Sequence, residues 1–334
     1  MKRLALVLIV AGAWFVGNAP LAAAQPTVIA TIPVGDQPYW LGANPTTDRI
    51  YVGNFQSDNV SVIHGASNTE IDTDGNPANG ISRIPVGDGP AGVAANSTTN
   101  RIYVGNRWSD NVSVIDGATY TEIDTDGNPA NGITRIPVGY RPHGVAVNPT
   151  TNRIYVANWG SDNVSVIDGG SDTVDATIPV GGGPVGVAVN PNTNRIYVTN
   201  QGSDNVSVID GDSDAVETTV SVGNYPYGVA ANPTTNQIYV SNYVSNSASD
   251  NVSVMDGDKK TVVAIVPVGD DPNGVAANPT TNCIYVANYG SDTVSVIQGV
   301  GPVGGIAELP DLAPGGAQPS AAPPESQNNE GVPG

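Results

Sequence analysis

The feature that most constrains the fold is an internal repeat marked by a Val-Gly step. The step occurs six times, at Val34-Gly35, Val86-Gly87, Val138-Gly139, Val180-Gly181, Val222-Gly223 and Val268-Gly269, so that successive steps are 52, 52, 42, 42 and 46 residues apart. The basic unit is therefore 42 residues long, and the longer units carry insertions in "EIDTDGNPANG" and "YVSNSASDN". A period of roughly 20 to 50 residues indicates a solenoid or a propeller.

Each unit reads as four short strands, A to D, separated by turn residues. In the third unit these are residues 144–148 (GVAVN), 153–158 (RIYVAN), 163–168 (NVSVID) and 176–181 (ATIPVG). Apolar and polar residues alternate, β-branched and aromatic residues fill the strands, and no segment has helical periodicity. Four strands in about 40 to 45 residues form one propeller blade. The sequence predicts an all-β, six-bladed β-propeller of four-stranded blades.

The ends of the repeat predict how the propeller closes. Strands A, B and C occur six times, but the last unit ends at residues 293–299 without a clear strand D. An unpartnered strand D, "TVIATIPVG" at residues 27–35, stands near the N-terminus. We expect this N-terminal strand to close the last blade, which would leave no long exposed sheet edge. The alternative is that residues 301–309 (GPVGGIAEL) supply the missing strand or part of a seventh blade.

The strand B segments "RIYVAN" and "RIYVTN", each followed by "NVSVID", resemble the YVTN-repeat β-propeller family. The resemblance covers roughly residues 27–299 and recurs six times in register. It implies a prokaryotic surface-layer or periplasmic protein that acts as a binding or scaffold module. It carries over no catalytic residue, because the family has no widely shared catalytic motif.

The two ends of the chain differ from the repeat. Lys2 and Arg3, the apolar residues 4–16 and the small residues up to Ala24 are typical of a signal peptide. A retained anchor is the alternative, although the apolar run is shorter than the about 20 residues that span a bilayer. We therefore expect a signal peptide at 1–24, the propeller at 25–307 and a disordered Pro/Ala/Gly-rich tail at 308–334, with the protein exported to the periplasm or the cell surface.

Charge and composition exclude several partners. The chain has 31 acidic and 12 basic residues, a net charge of −19, which becomes −21 once Lys2 and Arg3 are removed. Such a surface repels phosphate backbones and anionic lipid, so we expect no nucleic acid partner and no membrane insertion. Cys283 is the only cysteine and is predicted to be a free, unreactive thiol.

Variation among the units points to one face of the disc. Because neighbouring strands alternate in direction, the D-to-A and B-to-C connections emerge on the same face, and these are the connections that differ from unit to unit. Trp40 also replaces the glycine that opens strand A in the other units, where it should narrow the channel mouth. The residues predicted to bind a ligand are Tyr39, Trp40, Phe55, Arg107, Trp108, Tyr140, Arg141, His143, Trp159, Tyr225, Tyr227, Tyr243 and Tyr289. The alternative is that these aromatics only shield blade edges.

The chemistry-bearing residues favour binding over catalysis. We expect a binding or scaffold protein that recognises a glycan or an envelope protein, without cofactor, metal or reaction of its own. A lactonase-like hydrolase or lyase with His143 as general base is one alternative, and a self-associating envelope component is another. The "SDN" aspartates are expected to cap their own turns. The insertions at 72–77 and 124–129 resemble calcium loops in spacing, but proline takes the glycine position, which favours plain hairpins.

Overall fold

A computed structural model describes residues 29–299 except 77, 79, 126, 128–133 and 244–249. The chain divides into two units, residues 1–300 and 301–334, and the second lies outside the described residues. The predicted signal peptide, the tail and the segment GPVGGIAEL also lie outside them. The domain boundaries thus stay predictions.

The described residues form six antiparallel sheets, one for each repeat unit, and contain no α-helix. Blade one has β1 (Pro38–Asn44), β2 (Arg49–Asn54), β3 (Asn59–His64), β4 (Thr69–Glu70) and β5 (Ile84–Pro85), and blade two has β6 (Pro90–Asn96), β7 (Arg101–Asn106), β8 (Asn111–Asp116), β9 (Thr121–Glu122) and β10 (Ile136–Pro137). Blade three has β11 (Pro142–Asn148), β12 (Arg153–Asn158), β13 (Asn163–Asp168) and β14 (Thr173–Pro179), and blade four has β15 (Pro184–Asn190), β16 (Arg195–Asn200), β17 (Asn205–Asp210) and β18 (Ala215–Ser221). Blade five has β19 (Pro226–Asn232), β20 (Gln237–Asn242), β21 (Asn251–Asp256) and β22 (Thr261–Pro267), and blade six has β23 (Pro272–Asn278), β24 (Cys283–Asn288) and β25 (Thr293–Gln298).

The prediction of an all-β propeller of six blades built on a four-stranded plan is confirmed. In blades one and two the outer strand is interrupted by the long insertion, so that β3 pairs with both β4 and β5, and β8 with both β9 and β10. The first strands of successive blades are neighbours, β1 beside β6, β6 beside β11 and so on to β23. These strands therefore surround the channel, and the core lies between blades rather than within one sheet.

Each blade interface is built from the two faces of strand B. Between blades three and four, Tyr155 and Val164 of blade three pack on Ile196 and Val198 of blade four, and all four are fully buried. The strand B tyrosine thus points to the following blade, while the isoleucine and valine of the same strand point to the preceding one. This explains why strand B is apolar on both faces although it lies in an antiparallel sheet.

The Val-Gly step has its cause in a buried asparagine at the end of strand B. In blade three the amide of Asn158 donates to Asn163 Oδ1 at 2.7 Å and to Ser165 Oγ at 2.9 Å. A Cβ atom on Gly139 would stand 2.8 Å from the side chain of Asn158, too close for any other residue. The step is invariant because this bonded amide needs the space that glycine leaves.

The last blade differs from the sequence prediction. The sixth sheet has three strands in the described part of the chain, and residues 29–35 belong to no sheet, so the predicted pairing of the N-terminal strand with β25 is not seen. Instead, Ile32 and Val34 pack on Ile50 and Val52 of blade one. In the other blades, strand D packs on the following blade and also pairs with strand C of its own blade. Residues 29–35 make the first of these contacts, on blade one, but not the second.

One face of blade six is also uncovered. Val294 and Val296 of β25 are 43% and 59% exposed, whereas the equivalent Val60 and Val62 of β3 are fully buried by the following blade. Blades one to five each have this face covered, so the five interfaces between consecutive blades carry the main core.

The glycine at the start of strand A provides a test of this packing. A Cβ atom on Gly144 would stand 2.3 Å from the backbone oxygen of Val185 in the next blade, whereas on Gly274 it would meet only Ala287 Cβ at 3.9 Å. We expect Gly144→Ala to lower the free energy of unfolding by about 2 kcal/mol or more through overpacking, and Gly274→Ala to change it by less than about 0.5 kcal/mol. Denaturant titration measures both. Equal losses in the two variants would mean that blade six is covered on this face.

Candidate functional site at the channel mouth

The variable face is held by backbone hydrogen bonds between each D-to-A loop and the following B-to-C loop. In blade three, Trp159 N donates to Arg141 O at 3.1 Å and Gly160 N donates to Tyr140 O at 3.0 Å. Equivalent pairs join Arg107 N to Gly89 O and Gln201 N to Gly183 O. These bonds use no side chain, so the loop geometry is the same whatever residue occupies the position.

The Ser-Asp pair of each B-to-C turn also holds these loops. Tyr140 N donates to Ser161 Oγ of blade three at 2.7 Å, and the next amide, Arg141 N, donates to Asp110 Oδ1 of blade two at 2.8 Å. The same two bonds hold the loop at Gly182, and the aspartate bond recurs at Gly89 and Tyr225. The aspartates thus bridge blades, which differs from the prediction that each caps its own turn. The amide of a neighbouring loop is within reach only once the blades are packed.

Three side chains from alternate blades meet at the channel mouth. Tyr39, His143 and Tyr227 occupy the same position, directly after the fixed proline, at the start of strand A in blades one, three and five. The Tyr39 hydroxyl lies 3.1 Å and the Tyr227 hydroxyl 3.3 Å from His143 Nε2, and the two hydroxyls are hydrogen bonded to each other. The ring of Trp40 stands edge-on to the imidazole, with centroids 6.1 Å apart. These contacts link distant parts of the chain across the channel.

His143 is neutral in this setting. Its side chain is 1% exposed, and burial, with a smaller contribution from the Arg107 cation, lowers its pKa to about 3. Burial also raises the pKa of Tyr227 above its usual range, so the hydroxyl stays protonated. Nε2 is the ring nitrogen that contacts the two hydroxyls, whereas Nδ1 is buried and has no partner among the described residues. His143 is thus a weak base that orients two hydroxyl groups.

A cavity of about 210 Å³ opens beside this cluster. Its lining residues are Tyr39, Arg107, His143, Trp159, Val185, Gln201 and Tyr227. Five of them are among the residues predicted from the sequence. Val185 and Gln201 were missed, although they occupy the same repeat positions as His143 and Trp159, and this equivalence of position is the signal that would have found them.

Trp159 is the centre of a cationic group at the rim. The guanidinium carbons of Arg107 and Arg141 lie 5.6 Å and 5.5 Å from the centroid of its ring, within the range of cation–π attraction. One arginine comes from the B-to-C loop of blade two and the other from the D-to-A loop before blade three. Two positively charged guanidinium groups thus lie against the indole ring at the edge of the cavity.

A second aromatic group lies next to the cavity. Phe55 and Trp108 meet edge to face with centroids 4.5 Å apart, and Phe55 lies 5.5 Å from Tyr39. Trp108 remains 55% exposed. Gly89 leaves room for this pair, because a Cβ atom there would stand 3.0 Å from the Trp108 ring.

The remaining predicted residues do not line the cavity. Tyr140, Tyr225 and Tyr289 are 68%, 55% and 61% exposed on the same loops, and Tyr243 is half-buried. The structure therefore brings together the residues of blades one to five that point toward the channel, and leaves the others at the periphery.

The acidic residues of the first insertion hold their own hairpin. Asp72 accepts from Ser82 N at 3.0 Å and Asp74 accepts from Ser82 Oγ at 2.6 Å, so both carboxylates fix the hairpin. Within the described ranges, no group of three or more His, Cys, Asp or Glu residues is placed to hold a metal ion. The described part of the chain also has no helix that is long and apolar enough to cross a membrane.

The fold and the cavity define a β-propeller protein with a polar, aromatic site at the mouth of its channel. Residues 21–316 match the family described as "Lactonase, 7-bladed beta-propeller", and the chain belongs to this family. A chain of the Kuenenia stuttgartiensis hydrazine synthase is similar in structure, with a TM-score of 0.53 and 19% identity over 84% of this chain and 99% of that chain, which supports the fold alone. No curated protein matches the sequence.

The depressed pKa of His143 predicts an acid-sensitive site. The pKa of His143 is about 3 in the folded state and near 6.5 in the unfolded state. Between these two pH values the imidazole is protonated in the unfolded state and neutral in the folded state. The stability due to this group is complete above pH 6.5 and is lost as the pH falls toward 3, on the order of 3 kcal/mol between pH 7 and pH 4.

Denaturant titrations between pH 7 and pH 4 measure this loss. We expect His143→Gln to reduce the pH dependence, while His64→Gln, which changes the other histidine, should keep it. If the free energy of unfolding fell equally with pH in the wild type and in His143→Gln, the burial of a neutral imidazole would be contradicted.

Proposed function

We propose that this protein is a binding protein that recognises a glycan at the channel mouth. The observation that carries the proposal is the cavity of about 210 Å³, which combines oriented hydroxyl groups on its floor with exposed aromatic rings at its side. Sugars are bound by this combination, because hydroxyl groups need hydrogen-bond partners while the C–H face of the ring packs on aromatic rings. A single sugar ring is the unit that we expect to enter a cavity of this size.

The polar lining suits a hydroxyl-rich ligand. Tyr39 and Tyr227 present hydroxyl oxygens that accept, because one of their two protons lies in the bond between them, and Gln201 adds an amide that donates and accepts. Because His143 holds the two tyrosine hydroxyls in place, their orientation does not have to be fixed when the ligand arrives. Neighbouring sugar units of a longer glycan would extend over Phe55 and Trp108.

The proposal includes location and subfamily. The leader predicted at residues 1–24 and the six "YV-N" strands support an exported protein of the YVTN-repeat type, in the periplasm or at the cell surface. A glycan of the cell envelope, or an envelope protein that carries one, would be the partner in that compartment. Self-association as a structural component would use a different surface, the uncovered face of blade six with Val294 and Val296.

A second candidate function is lactone hydrolysis, which the family description favours. Hydrolysis at this site would need a base to activate water. His143 is a poor base, since burial lowers its pKa to about 3, and no carboxylate lines the cavity. The lining thus supports binding better than general-base catalysis.

The binding proposal predicts which aromatic residues matter. We expect Trp108→Ala to weaken glycan binding roughly 3- to 10-fold, because it removes about 0.5 to 1.5 kcal/mol of stacking, with little change in thermal stability. Tyr289→Ala removes an equally exposed ring from blade six and should leave binding unchanged. The full chain on a glycan array, followed by calorimetry with the captured glycan, provides the measurement. Equal effects of both substitutions would contradict a ligand beside the cavity.

The catalytic alternative predicts turnover of a lactone, whereas the binding proposal predicts none. With glucono-1,5-lactone as probe, we expect the protein to produce acid no faster than buffer alone, measured by pH-stat titration. Turnover above the buffer rate that is lost in His143→Gln and retained in His64→Gln would replace the binding proposal with the hydrolase.

A further inference from the structure

The arginines at Trp159 stand out among the cations of the chain. Most other described basic side chains form ion pairs, for example Arg101 with Asp172 at 2.6 Å and Arg135 with Glu122 at 2.6 Å. Arg49 donates to the Tyr120 hydroxyl and to two backbone oxygens. The guanidinium groups of Arg107 and Arg141 make neither kind of contact within the described residues and lie only against the Trp159 ring.

This lack of a carboxylate partner is notable because acidic residues outnumber basic ones 31 to 12. Two like charges on one aromatic ring repel each other, and a carboxylate between them would relieve the repulsion. Ion pairs with carboxylates form at Arg83, Arg101, Arg135, Arg153 and Arg195, but no described carboxylate pairs with the guanidinium of Arg107 or Arg141.

The backbone fixes both arginines at the rim. Arg107 N donates to Gly89 O at 2.9 Å, and Arg141, with a left-handed φ of 54°, donates its amide to Asp110 Oδ1. Arg107 also lines the cavity, so its charge faces the space that a ligand would fill. The Arg107 cation contributes to the low pKa of His143, which indicates that its field reaches the floor of the cavity.

We propose that the ligand carries a carboxylate that Arg107 and Arg141 bind at the edge of Trp159, so that the glycan is an acidic one built from uronic acid units. This rests on the proposed function and adds the ligand's charge. A guanidinium binds a carboxylate through two parallel N–H···O bonds, and a planar carboxylate on C5 of a sugar ring would reach the rim while the ring occupies the cavity. The singly charged carboxylate is favoured over a phosphate dianion, because the net charge of −19 repels a dianion more strongly.

The test compares matched ligands on the full chain. Calorimetry would use oligomers of galacturonate, glucuronate and mannuronate beside their methyl esters, which keep the ring but remove the charge, with galactose 6-phosphate as the phosphate probe. We expect an acidic oligomer to bind about 10- to 100-fold tighter than its ester, and Arg107→Gln and Arg141→Gln each to remove most of that difference. Raising the salt concentration should weaken the binding of the acidic oligomer but not the binding of its methyl ester. The control Arg49→Gln removes one charge from the opposite face and should change neither the affinity for the acidic oligomer nor the affinity for its ester.

The outcomes separate the two proposals. Equal affinity for acid and ester, with no effect of Arg107→Gln, overturns the acidic ligand and leaves glycan binding standing. Tighter binding of galactose 6-phosphate than of every uronate also overturns it. No binding of any acid, ester or phosphate at millimolar concentration overturns the glycan proposal itself. A loss that Arg49→Gln reproduces would mean a general charge effect and would equally count against the inference.

Discussion

The functional face depends on the hydrogen bonds by which the Ser-Asp pair of each B-to-C turn holds two D-to-A loops. Ser161 accepts from the loop that enters its own blade, and Asp162 accepts from the loop that enters the next blade. Each loop is thereby tied to two blades at once, so the blades and the loops are ordered together. Without these bonds the amides of the exposed loops would bond to water instead, and the loops would have no fixed direction.

The site follows from this order, because its parts come from different blades. Tyr39, His143 and Tyr227 are more than 80 residues apart in sequence and meet only because three inner strands start at the same height around the channel. The burial that makes His143 neutral is a property of the assembled ring. A single blade would expose the same histidine to water.

Much of the fold was predictable from the pattern, and its limits have physical causes. The predicted strands at 153–158 and 163–168 match β12 and β13, because their alternation ends at turn asparagines and aspartates. Strand A was placed at 144–148, but β11 begins at Pro142, since proline opens a strand where its missing N–H is not needed. The closing strand was misplaced because residues 29–35 satisfy their apolar side chains on blade one alone.

The site was only partly predictable for a related reason. Loop variation identified the face and most residues near the cavity, including Arg107, His143 and Trp159. It could not identify Val185 and Gln201, which are unremarkable residues at informative positions. Nor could it reveal the neutral state of His143 or the lack of an ion pair for the Arg141 guanidinium among the described residues, since both depend on what packs around them in space.

The separation of backbone bonds from side-chain identity has a consequence for how such a protein changes over time. The loops that hold Arg107, Trp159 and Gln201 are fixed by the same main-chain contacts, so one of these residues can replace another without altering the path of the chain. Selection can therefore vary the chemistry of the mouth one position at a time while stability stays constant. Loop side chains set the ligand preference, whereas backbone contacts set the fold. Relatives with identical blades can therefore come to recognise unrelated molecules.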